Sequence, residues 1–134
     1  MTDAELISGL EQATLVNSDF HHADHVRAAF LYLTLYSPLE AMQRFSAALA
    51  NFAAACGRAD RYNETITWAF LLLVRERMAR AARPMTWSEF AAENPDLLDW
   101  KENILKKYYR GETLGSELAR RTFVFPDRCD SNSR

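Results

Sequence analysis

The stretch Ser37-Pro38-Leu39-Glu40 constrains this chain more than any other. Ser37 can accept a bond from an orphan amide, Pro38 has its backbone preset for a first helical position, and Glu40 completes a capping box. Behind that start, Leu39, Met42, Phe45, Leu49 and Phe52 recur at helical spacing until Gly57 stops the run. The pattern predicts a helix with its apolar stripe turned inward.

The same grammar recurs along the chain. Thr2 or Asp3 can open a first helix carrying Leu6, Leu10 and Ala13, expected to end at Asn17-Ser18-Asp19. A second helix is expected from about Phe20 to Tyr36. Val26, Ala29, Phe30, Leu31, Leu33 and Leu35 make it apolar nearly all round, the mark of a buried helix. A fourth is expected over about 60–82, with Ile66, Phe70, Leu73 and Val74 inward. Thr86-Trp87-Ser88-Glu89 repeats the capping box for a short helix, and Asn94-Pro95-Asp96 caps one more turn. Asp99 opens a helix expected to reach Arg110 and close at Gly111, and a last one runs over about 114–121. Phe123 to Pro126 then reads as extended.

Four longer helices and several short ones fit an all-α, irregular single-domain bundle over residues 1–126. The polar stretch 127–134, which holds Cys129, is expected to be a floppy tail. Four glycines and four prolines leave little turn chemistry for an all-β alternative. A net charge of −2 and a pI near 5.9 lack the basic footprint of a nucleic-acid binder. The longest apolar run, 68–74, is far shorter than a membrane span, and the acidic N-terminus is unlike a secretory signal. Two distant cysteines make no disulfide framework. The expectation is a cytoplasmic protein without nucleic-acid or membrane partners.

All three histidines fall in the five residues His21-His22-Ala23-Asp24-His25, at the start of the most buried helix. His22 and His25 are one turn apart and can face a common point. Opposite them, Tyr62-Asn63-Glu64-Thr65-Ile66-Thr67 opens the other long apolar helix. Asn63 shares a face with Thr67, and Glu64 one with Trp68. Two imidazoles and Glu64 would form the two-His, one-carboxylate set of non-haem iron sites, or the three protein ligands of a catalytic zinc. Without metal, Glu64 would serve as general base, a histidine such as His22 as acid, and Asn63 as donor to a substrate oxygen, with Asp24 orienting a ring. The plainer alternative leaves these groups as ordinary first-turn residues, with Thr65 and Thr67 bonded to backbone.

Phe20-His21-His22-Ala23-Asp24-His25-Val26 and Tyr62-Asn63-Glu64-Thr65-Ile66-Thr67 together resemble a family of small bacterial all-helical proteins. So do Asn94-Pro95-Asp96-Leu97-Leu98, Tyr108-Tyr109 and the ending Phe123…Pro126-Asp127. The family pattern, His-x-[Asp/Glu]-His followed by Tyr-His-Glu-Thr, maps onto His22, Asp24, His25, Tyr62, Glu64 and Thr65. Asn63 stands where the pattern has histidine, which alters any third imidazole position. The resemblance implies a helical fold and a place for a site, and no particular reaction. The expectation is a small-molecule or metal site at one bundle end, in a metal-assisted or acid–base enzyme. The alternative is a non-catalytic helical interaction or regulatory module.

Overall fold

The computed structural model describes residues 1–16 and 20–128. The expected helix end at Asn17-Ser18-Asp19, and Cys129 with the rest of the tail, lie outside the described residues. Among the described residues eight α-helices follow in order: α1 (Asp3–Glu11), α2 (His22–Leu35), α3 (Pro38–Ala55), α4 (Glu64–Arg80), α5 (Trp87–Glu93), α6 (Pro95–Leu98), α7 (Gly111–Leu114) and α8 (Glu117–Arg121). Short 3-10 turns lie at Ala59–Arg61 and Ile104–Lys107. No strand occurs among the described residues. The fold is all-α, as the periodicity predicts. No helix among the described residues is long and apolar enough to cross a membrane.

Local caps explain most helix starts. Thr2 and Glu5 form a reciprocal box on α1, and Thr86 and Glu89 another on α5. At α3 only half of the expected box forms. Ser37 Oγ accepts from the Glu40 amide at 3.3 Å, while the Glu40 carboxylate turns to Arg44 at 2.9 Å. Leu39, expected inward, is 79% exposed, and Ala41, Phe45, Ala48, Leu49 and Phe52 form the buried stripe instead.

α1 ends six residues before the expected Asn17. Ala13 takes a left-handed φ of 55°, and the Ala13 and Thr14 amides donate back to Leu10 O and Gly9 O at 3.2 and 2.9 Å. Leu15 then folds onto Gly9, where an added Cβ would meet Leu15 Cδ2 at 2.6 Å. The helix expected from Asp99 to Arg110 does not form either. Asp99 Oδ1 takes the Glu102 amide at 3.0 Å and Asn103 Oδ1 the Leu105 amide at 2.9 Å, a local alternative to helical bonding. Gly111 opens α7 instead of closing a helix.

α2 is the central element, touching α1, α3, α4, α5 and α6. Val26, Ala28, Ala29, Phe30 and Tyr32 are all but sealed, and the Tyr32 hydroxyl donates to Glu11 at 2.6 Å. Arg77 of α4 donates to Asn94 at 2.8 Å and to both oxygens of Asp96 at 3.1 and 2.7 Å, pinning α5 and α6. Order continues past Pro126. Asp127 accepts from the Arg110 amide at 3.0 Å, and the Arg128 amide donates to Tyr108 O at 2.9 Å, so these two residues belong to the fold and not to the tail.

A left-handed alanine carries a steric cost that glycine does not. Ala13→Gly is expected to raise stability by about 0.5–1 kcal/mol, read from urea unfolding midpoints. A destabilised variant would contradict the cap geometry described for α1.

Candidate functional site

The start of α2, the end of α3 and the start of α4 surround a cavity of about 450 Å³, a volume typical of small-molecule sites. Its deepest walls are Val26, Phe45, Leu49, Phe52 and Phe70, each no more than 7% exposed. Polar side chains enter from shallower positions: His22, His25, Tyr62, Asn63, Arg58 and Arg61. The chain reaches this arrangement through Gly57, whose φ of 72° suits glycine. The Gly57 and Arg58 amides donate to Ala54 O and Ala53 O at 3.0 and 2.8 Å. That cap turns the backbone sharply and sends Arg58, Arg61 and Tyr62 back to the cavity.

His22 Nε2 lies 2.9 Å from Leu97 O. A carbonyl only accepts, so Nε2 carries the proton, and Nδ1 of the neutral ring is an acceptor. The ring packs edge-on to Phe70 and against Trp100, each 4.8 Å between centroids. Burial holds His22 below the usual imidazole range, with the Leu97 carbonyl and Asp99 pulling the other way.

His25 is different. Its ring lies 4.2 Å from Phe20 and makes no hydrogen bond among the described residues. Yet no buried side-chain nitrogen or oxygen among the described residues lacks a partner, so the ring nitrogens are not sealed, and His25 lines the cavity. Burial first, and His22 second, lower its pKa to about 4 despite the nearby Asp24. His25 is neutral at pH 7.

The remaining expected residues divide between cavity and scaffold. Asp24 Oδ2 accepts from the His21 amide at 3.0 Å and caps α2; it does not line the cavity. Asn63 does line it, but both ends of its amide are engaged. Oδ1 caps α4 by accepting from Ile66 N at 2.9 Å, and Nδ2 donates to Leu114 O at 2.8 Å. Thr67 lines the cavity and is buried. Thr65 is sealed elsewhere: its hydroxyl donates to Thr122 O at 2.9 Å and accepts from Val124 N at 3.1 Å, clamping the C-terminal segment to α4.

Glu64 is not where a shared His–Glu centre needs it. One helical step of about 100° separates it from Asn63. Its carboxylate accepts from the Tyr62 hydroxyl and is absent from the cavity wall. It follows the side of Trp68, whose Nε1 donates to Ser46 at 3.1 Å. Among the described residues no three His, Cys, Asp or Glu side chains converge to hold a metal. The His22–His25–Glu64 set expected for iron or zinc is therefore not assembled, and Glu64 is not poised as a base toward this cavity. Sequence reasoning missed Arg58, Arg61 and Trp100, all exposed at its rim. The signal for the two arginines was their position directly after the Gly57 helix stop.

Two outcomes test this geometry. Thr65→Val removes the partner of the Val124 amide and the Thr122 carbonyl, and is expected to cost about 1–2 kcal/mol in urea unfolding. A loss below about 0.5 kcal/mol would remove the clamp. For His25 the sign follows from its depressed folded pKa. Between pH 6.5 and 4 the unfolded chain binds the extra proton, so stability is fully present above pH 6.5 and falls as pH drops through that window. Wild type is expected to lose about 2 kcal/mol more than His25→Gln between pH 7 and pH 5. Parallel curves would show His25 to be solvated. Comparison with family models, curated proteins and solved structures finds no match, which leaves the site to be judged on its own chemistry.

Proposed function

We propose that this chain binds a small, largely apolar molecule in the cavity between α2, α3 and α4, with His25 and His22 as neutral hydrogen-bonding partners for its polar part. The observation that carries the reading is His25: an imidazole without a partner among the described residues, opening onto an apolar hollow. A polar group placed at an apolar hollow in this way is the kind that fixes the orientation of a bound small molecule.

Recognition fits these groups better than proton abstraction. A general base works best with a pKa near the operating pH, and His25, at about 4, is a weak base at neutrality. Glu64 faces away from the cavity. The reading is thus a ligand-binding helical module of carrier or sensor type. A cytoplasmic setting suits it, since Cys56 on the cavity wall is a free thiol.

A helical interaction module is the rival reading. Leu72, Tyr108, Phe123 and Pro126 line a second, shallow hollow beside the C-terminal segment, and Phe125, packed on Phe123, is 81% exposed. Exposed apolar surface of this sort marks protein contacts.

Binding of the neutral dye Nile red separates the two. Wild type is expected to enhance its emission saturably. Ala53→Trp, which pushes an indole into the cavity from α3, should weaken binding by about tenfold or more, and Phe125→Asp should leave it unchanged. Equal binding by wild type and Ala53→Trp would exclude this cavity as the site.

A further inference from the structure

We propose that the ligand of this cavity is an amphipathic monoanion, an aliphatic or aromatic carboxylate whose apolar body fills the deep end and whose carboxylate sits at the rim against Arg58 and Arg61. This rests on the small-molecule reading above and adds the ligand's chemical class.

Charge distribution carries the inference. The whole chain has a net charge of −2, yet among the described residues the cavity wall includes two arginines and no acidic side chain. Asp60 lies between the arginines in the 3-10 turn and does not line the cavity. Among the described residues, Arg58, Arg61, Arg75, Arg110 and Arg128 take part in no ion pair, and of these five Arg58 and Arg61 line the cavity. The cap at Gly57 holds the Arg58 backbone in place, so the positive rim is built by the fold.

Burial sets the orientation. The deep walls are apolar, and both histidines are neutral at pH 7 because burial lowers their proton affinity. A carboxylate carried to the deep end would lose its hydration with no cation to meet it, which is expensive. At the rim it keeps part of its water and meets two guanidinium groups whose planar forks match a carboxylate. The unpartnered His25 ring then serves a hydroxyl or carbonyl farther along the ligand. No covalent step is involved.

Calorimetric titration of the full chain with decanoate, decanol and acetate tests the proposal. Decanoate is expected to bind about tenfold or more tightly than decanol, and acetate not to bind. The Arg58→Gln/Arg61→Gln double variant should lose the preference for decanoate while retaining wild-type affinity for decanol and for Nile red. Equal affinity of wild type for decanoate and decanol overturns the anionic head while leaving the cavity reading intact. A preference for decanoate that survives in the double variant also overturns it. Failure of decanoate, decanol and Nile red alike overturns both readings together.

Discussion

A helix that is apolar nearly all round must be covered on every side, and α2 imposes that demand on this molecule. Five helices pack on it, and its middle, Val26 and Ala28 to Leu33, is buried. Each neighbour contributes a different surface: Leu6 and Leu10 from α1, Phe45 and Phe52 from α3, Phe70 from α4, Phe90 from α5 and Leu97 from α6. Coverage gives out at the two ends of α2: at Leu35, which is 61% exposed, and at the N-terminal turn, where the α3–α4 connection turns back on itself. The cavity is the gap left at the N-terminal turn, and its histidines are the residues with which α2 begins.

The Tyr62-Asn63-Glu64-Thr65 motif turns out to be mainly structural. Asn63 caps α4 and ties α7, Glu64 receives the Tyr62 hydroxyl, and Thr65 clamps the segment at Thr122–Val124. His22 is similarly occupied in joining α2 to α6 through Leu97. Subtracting these duties leaves His25 as the cavity imidazole without a hydrogen-bond partner among the described residues. That subtraction is why the proposed ligand site rests on one neutral imidazole at an apolar hollow and not on a metal-binding triad.

Features governed by neighbours in sequence were legible in advance. The boxes at Thr2–Glu5 and Thr86–Glu89, the Ser37 cap and the Gly57 stop involve contacts three or four residues apart, and the all-α fold followed from them. Features decided by distant partners were not. The end of α1 depends on Leu15 packing over Gly9, with alanine in place of the glycine that usually signals such a stop. The break after Asp99 depends on which of two bonding schemes an amide selects. The face taken by Glu64 depends on Tyr62 being within reach. The starts of α2 and α4 do meet at one cavity, but not every residue singled out there lines it, because a single helical step decides which side chain looks inward.

The double hydrogen bond of Thr65 also bears on the order in which the chain can assemble. Its partners lie 57 and 59 residues downstream, and Phe123, stacked 5.6 Å from Trp68, arrives with them. While the chain grows on a ribosome, α2, α3 and α4 are complete long before their last cover exists. The flank of α4 that carries Thr65 and Trp68 stays bare until the segment through Val124 has emerged. A nascent chain stalled in that interval presents this flank to chaperones, although its central helices are already in place.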